Sequence, residues 1–215
     1  MITRFQRTPR IASRVLPQAL WSFPRQSREV FLTFDDGPHS LYTLQLVELL
    51  AQYDARATFF VVGEKVRQYP QLVRETVAAG HRLGNHTMHH LRMRWTPVSV
   101  VREEISSAQK VIEQTAGEAV YHFRPPYGVL RPAVLGFASR LGLKVTMWSC
   151  MPLDFRRASD SPAIAASLAR HLRGGDIVLL HDGHDCAPAM MQALRETLHA
   201  VKEKGYRFAS LPNAQ

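Results

Sequence analysis

The order of apolar and polar residues divides the chain into alternating short and long periodic segments. Val30-Phe31-Leu32-Thr33-Phe34 is a β-branched and aromatic run that reads as a buried strand, and it stops abruptly at Asp35-Asp36-Gly37-Pro38. Leu41, Leu44, Leu46, Val47, Leu49 and Leu50 then recur at helical spacing, which predicts an amphipathic helix to about Tyr53. A second buried strand over 57–62 closes at Gly63, a helix from about Gln71 is capped by Gly80, and a short strand spans His81 to Gly84. Predicted helices over 97–116, 133–141, 161–172 and 187–204 then alternate with predicted strands over 121–124, 144–148, 176–180 and 206–209. Val100, Val101, Ile105, Ala108 and Ile112 form the expected inner stripe of the first of those helices.

Alternation this regular predicts a parallel α/β architecture. A count of about seven strand–helix units, with no Gly-rich phosphate loop, favours a distorted (β/α) barrel over a dinucleotide-binding sheet. The length of 215 residues suits one domain with a substantial core, and 46% hydrophobic with 21% charged residues excludes disorder and a coiled coil. No internal repeat, low-complexity tract or linker interrupts it.

Charge changes the picture only at the start. Most of the net +9 sits in residues 1–28, where Arg4, Arg7, Arg10, Arg14, Arg25 and Arg28 occur with no Asp or Glu. The expected division is therefore a basic leader, 1–28, and one folded domain, 29–215. The leader reads as a loosely attached arm with Trp21 and Phe23 as its anchors. A role for it in touching nucleic acid or anionic lipid is the rival reading. It lacks a signal peptide's apolar core, because Ser13, Arg14, Pro17 and Gln18 break the run from Ile11 to Leu20. No stretch approaches a transmembrane helix. Cys150 and Cys186 have no metal-type spacing and make no disulfide framework. A cytoplasmic protein with neither a nucleic-acid partner nor a membrane span is expected.

The candidate chemistry lies at the predicted strand ends. Asp35 and Asp36, the His86–His90 cluster, Arg124, Asp154 and His181-Asp182 each follow a strand. In parallel α/β folds those ends face one rim. Adjacent acids at the mouth of a buried strand repel each other and lose water, so a cation beside them explains the pair, as does a solvated turn. If the segment between them turns helically, His86 and His90 share one face and can hold a metal ion with one aspartate. Such a set leaves coordination positions open, as catalytic sites do. Spacing does not decide which aspartate is the ligand; the other is available as a general base.

Four motifs carry a resemblance. Thr33-Phe34-Asp35-Asp36-Gly37-Pro38, His86-Thr87-Met88-His89-His90, Arg124-Pro125-Pro126-Tyr127-Gly128 and Leu179-Leu180-His181-Asp182 resemble, in order and spacing, those of the polysaccharide deacetylase family, the NodB-type carbohydrate esterases, from about residue 29 to 210. The resemblance implies a distorted (β/α) barrel that hydrolyses an N-acetyl, sometimes an O-acetyl, group on a sugar such as a chitooligosaccharide or a peptidoglycan amino sugar. It implies a divalent metal, foremost Zn2+, with Co2+, Ni2+ or Mn2+ as alternatives. By position, Asp35 would be the general base, Asp36 a metal ligand with His86 and His90, and His181 the general acid. Arg124 would orient Asp35, Asp154 would tune His181, and the Tyr127 backbone N–H would hold the oxyanion. Pro126, Tyr127, Leu179 and Phe155 would line the substrate site, Leu179 at the acetyl methyl group. The sequence departs from the family where Met151 stands in place of a frequent Asp and Phe155 in place of a frequent Trp, which bears on substrate preference.

Two alternatives use the same residues. One is an amidohydrolase acting on a non-sugar amide or cyclic imide. The other is a carbohydrate-binding domain with a dead site, which should have lost Asp35, a metal ligand or His181; all are retained. Trp95 either packs or lines a groove wall.

Overall fold

Strand and helix alternate as the pattern predicts. In a computed structural model, which describes residues 6–152, 154, 161–183 and 187–213, the strands are β1 (Gln6–Arg7), β2 (Glu29–Gly37), β3 (Thr58–Val61), β4 (Arg82–Asn85), β5 (His122–Phe123), β6 (Lys144–Val145), β7 (Cys150–Met151), β8 (Ile177–His181) and β9 (Arg207–Ala209). The helices are α1 (Arg10–Val15), α2 (Thr43–Ala51), α3 (Gly63–Gln68), α4 (Pro70–Ala78), α5 (Val98–Ala116), α6 (Pro132–Arg140), α7 (Ser161–His171) and α8 (Ala187–Glu203). The sheet runs β1-β7-β8-β2-β3-β4-β5-β6, with β9 paired to the start of β2. Every pairing from β7 through to β6 is parallel, and only β1 joins antiparallel. This is the curled, mostly parallel sheet of a distorted barrel.

β2 sits at the centre because both its faces are buried, as a near-continuous apolar run requires. Val30, Phe31, Leu32 and Phe34 are all enclosed, and β8 and β3 flank the strand. The register places Asp35 opposite His181 on β8 and Thr33 opposite Leu179. The sheet pairing alone therefore brings two distant motifs side by side.

Beyond the leader, two helices differ from the pattern reading. α3 was not expected, since six residues are too few to show a helical period, and Pro70 opens α4 directly after it. In α5, Val101, Ile105, Ala108 and Ile112 form the inner stripe, whereas Val100 is exposed, one residue off that face. Gly117, at φ 74°, ends that helix in the left-handed conformation that glycine adopts without strain.

From Gln6 onward the leader is not a loose arm. Residues 6–7 pair with β7, and the Leu20 amide and carbonyl bond Val145 and Met147, so this segment bridges toward β6. Phe23 donates its amide to Gly175 and packs its ring 4.2 Å from that of Phe31. Trp21 packs into the cluster around Phe123 and Met147, so both expected anchors are in place. Asp176, fully buried just before β8, holds the segment by charge. Both its oxygens accept from Arg7 at 3.0 Å, and it also accepts from Arg25 at 2.5 Å and Ser149 at 2.8 Å. Burial raises the Asp176 pKa, but the hydrogen bonds from Arg7, Arg25 and Ser149 outweigh it and hold the carboxyl below its ordinary 3.8.

A carboxyl depressed in the folded state contributes stability that is complete above its unfolded pKa and fades as pH falls through the lower folded value. Asp176→Asn should therefore cost about 2 kcal/mol at neutral pH, read from the denaturant midpoint. The gap between variant and parent should narrow below pH 3.8, and residues 6–28 should exchange amide hydrogen faster in the variant. An unchanged midpoint would remove the clasp.

Candidate active site

The strand ends converge as their positions suggest, and the centre is a buried ion pair. Arg124, enclosed completely after β5, donates from one Nη to Asp35 Oδ1 and Thr33 Oγ1, both at 2.7 Å. Its other guanidinium nitrogens bond the Thr146 and Met147 carbonyls, and the group lies 4.0 Å over the Phe60 ring. Burial lowers the guanidinium's pKa, and Asp35 works against that. Thr33 in turn donates to the Val178 carbonyl. Asp35 is thus held by a cation that four other groups fix in place.

Asp36 stands beside it on the other side of the strand end. Its φ of 72° turns the carboxylate toward the histidines. Oδ1 lies 3.3 Å from His86 Nε2 and 3.0 Å from His90 Nε2. The segment from His86 to His90 is not helical, so the two imidazoles do not meet as an i, i+4 helical pair. They converge because Thr87 and His90 adopt φ of 69° and 53°. The Asn85 side chain accepts the Thr87 amide, and Thr87 Oγ1 accepts the His90 amide, which holds that turn. The rings end 5.0 Å apart.

These residues fit a divalent cation. One carboxylate oxygen and two imidazole nitrogens lie within 4.8 Å of one another. His86 Nδ1 is 2.7 Å from the Arg124 carbonyl, an acceptor only, so that nitrogen carries the proton. The Nε2 lone pair then faces carboxylate oxygens of Asp36 and, at 3.7 Å, Asp35. Lone pairs converging on one another in a buried space repel unless a positive charge stands between them.

His181 ends β8 on the far side of Asp35. Asp154 is fully buried and accepts both His181 Nδ1, at 3.1 Å, and the His181 amide, at 2.8 Å. Burial lowers the imidazole pKa, but Asp154, with Asp35 and Asp36 behind it, raises it to about 9. Leu179, two residues earlier and buried, lies on the same face of β8. Pro126 and Tyr127 form a single 3-10 turn in which Tyr127 takes φ 57°. Its ring packs 4.8 Å from His90 and is largely exposed. Phe155 lies outside the described residues, as do the neighbouring positions 156–160.

Two residues without an assigned role prove to shape the site. Asp182, fully buried after His181, accepts from Thr43 Oγ1 at 2.7 Å, and burial pushes its carboxyl up to about 6. It presses so closely on Gly37 that a Cβ there would stand 2.5 Å from Oδ1. Lys65 from α3 donates to the Asp36 carbonyl at 2.6 Å. A lone acid inside an apolar strand-end motif was the signal for Asp182; Lys65 gave none, because α3 itself was not legible.

Comparison with known proteins follows the same lines. The family profile described as "Polysaccharide deacetylase" matches residues 24–146. The chain is 36% identical over 193 residues to a peptidoglycan-N-acetylglucosamine deacetylase of Bacillus cereus, covering 89% of this chain and 90% of that one. It is 35% identical to a chitooligosaccharide deacetylase of Azorhizobium caulinodans, covering 92% and 99%. A solved peptidoglycan N-acetylglucosamine deacetylase, in complex with an N-oxidanyl-benzamide, superposes with a TM-score of 0.89 at 29% identity over 95% of both chains. A family pseudoenzyme of Bacillus anthracis superposes with a TM-score of 0.82 at 25% identity, over 89% of this chain and 66% of that one.

The donor set makes a direct prediction. Asp36→Asn and His86→Ala should each weaken zinc binding by more than about 100-fold, measured by calorimetry with the fold checked by circular dichroism. Asp35→Asn should retain the ion. Loss of zinc from that variant, with Asp36→Asn still loaded, would exchange the two aspartates.

Proposed function

The chain belongs to the polysaccharide deacetylase family, and from that premise we propose that it is a metal-dependent hydrolase removing N-acetyl groups from the amino sugars of a glycan. The observation that carries this is the completeness of one site. A pinned carboxylate and a protonated imidazole flank the Asp36–His86–His90 cluster on adjacent strands. Membership alone would not suffice, since a family pseudoenzyme shares the fold.

An amide is a weak electrophile with a poor leaving group, so its hydrolysis needs an activated water, a polarised carbonyl and a proton donor together. A zinc ion held by Asp36, His86 and His90 would supply Lewis acidity, which brings the pKa of water down to about 7. Asp35 takes the proton of the attacking water. Its ion pair with Arg124 fixes the oxygen that points away from the guanidinium toward the cluster. The Tyr127 amide donates to the oxygen that gains charge, a contact worth about 3 kcal/mol in related chemistry. His181, protonated and held by Asp154, gives its proton to the departing amine. Leu179 offers the apolar wall for the acetyl methyl group.

Acetate release from N-acetylated glycans by the zinc-loaded protein tests the reading. Asp35→Asn should retain zinc and lose about 1000-fold in turnover. His181→Ala should also lose turnover with zinc retained. Release of acetate by neither parent nor variants, at full zinc occupancy, would defeat the proposal.

The pH profile isolates Asp154. His181 acts as an acid only while protonated, so turnover should fall as pH rises through about 9. In Asp154→Asn the anion favouring the imidazolium is gone, so the proton leaves at lower pH and the basic limb should move toward neutrality. A limb that stays in place would take the tuning role from Asp154.

A further inference from the structure

The loop after the histidine cluster has features the hydrolytic site does not use. Residues 86–102 contain Arg92, Arg94 and Arg102 and no Asp or Glu. Residues 119–153 hold no acid either, and from them Arg131 reaches this loop. The acids that follow the loop are Glu103, exposed, and Glu104, engaged by the His89 amide and ring, and on the cluster side Asp36 is taken up by His86 and His90. Arg92 and Arg94 are exposed, and among the described residues neither has a carboxylate within ion-pairing distance.

Their placement is not that of random surface charge. The Arg92 guanidinium lies 5.7 Å over the Tyr127 ring, whose other neighbour is the metal-cluster residue His90. Arg94 lies 5.2 Å over Trp95, which is 83% exposed, the highest of any large apolar side chain described. The loop is fixed rather than loose, because Arg131 donates to the Met93 and Thr96 carbonyls at 2.8 and 2.5 Å and Met93 is fully buried beneath it. Two open guanidinium groups and two exposed rings thus form a ledge that begins one side chain away from the metal cluster. Planar guanidinium groups resting on aromatic faces keep their N–H forks free for an oxyanion.

We infer that this ledge is an anion-reading subsite. Arg92 and Arg94, beside Tyr127 and Trp95, bind an oxyanion substituent carried by the acetylated glycan next to the sugar being hydrolysed, and Trp95 offers the sugar ring a flat apolar face. The inference rests on the deacetylase reading and narrows it to a charged substrate over a neutral one.

The test compares acetate release by the zinc-loaded protein from N-acetylated glycan strands with free carboxylates and from the same strands amidated. At low ionic strength kcat/KM should favour the free carboxylates by about tenfold, mainly through KM. Salt should erode the preference. Arg92→Gln with Arg94→Gln should bring the ratio close to one, whereas Lys at both positions should keep most of it. A structural fault would lower both substrates alike and leave the ratio standing. Strands bearing phosphate in place of carboxylate then identify, by the larger ratio, which oxyanion the ledge prefers. A ratio near one in the unaltered protein, or one unmoved in the Gln variant, would overturn the inference. So would loss of oligonucleotide binding in that variant with the ratio intact, which would make the ledge a nucleic-acid surface. Hydrolysis of neither strand overturns the deacetylase reading instead, so the two failures are distinct.

Discussion

The site depends on a single buried cation. Among the described residues Arg124 is the largest fully enclosed side chain, and a guanidinium without solvent is tolerable only when its donors find acceptors and an anion stands against it. Asp35 is that anion, and Thr33, Thr146 and Met147 accept three further N–H groups. The same residue's backbone finishes the work, since its amide bonds Asn85 and its carbonyl sets the His86 tautomer. One residue thus ties β2, β4 and the strand beyond β5 into a fixed geometry. Replacing it would leave a buried carboxylate without its partner, which is why the pair is better understood as a positional constraint than as a source of stability.

Much of this was legible in the sequence because of where polar residues interrupt apolar runs. Asp35, Asp36, Arg124 and His181 each break a strand at its carboxyl end, and parallel pairing then assembles them on one rim. The barrel was legible for the same reason, through the regular switch between periods of two and of 3.6. What was not legible is whatever depends on a distant partner or an unusual dihedral. Nothing near Arg7 in sequence announces Asp176, so a basic leader read as solvated when it is in fact paired. The His86–His90 spacing would put both rings on one face if the segment were helical, whereas left-handed residues supported by Asn85 do the same job by another route. Thr33 was quoted in its motif, but a lone hydroxyl in a strand does not declare that it faces a guanidinium.

Backbone strain is concentrated where the chemistry is. Among the described residues five non-glycines have positive φ, and Asp36, Thr87, His90 and Tyr127 of these lie in or beside the Asp36–His86–His90 cluster. Thr87 is β-branched, for which that region is costly. Such conformations persist only where surrounding contacts over-determine them, and here Lys65 on the Asp36 carbonyl, Asn85 on Thr87 and the Asp182 carboxyl against Gly37 serve that end.

β8 separates this strained rim from the clasp around Asp176. Its first neighbour binds Arg7 and Arg25 at the amino end, and its last residue, His181, reaches the site at the carboxyl end. Ruggedness and chemistry therefore occupy opposite mouths of the barrel, joined by a strand of five residues. A lineage of such proteins can accumulate changes around the catalytic mouth, where new substrates are won and stability is spent, while the far mouth holds the reserve that lets those changes survive.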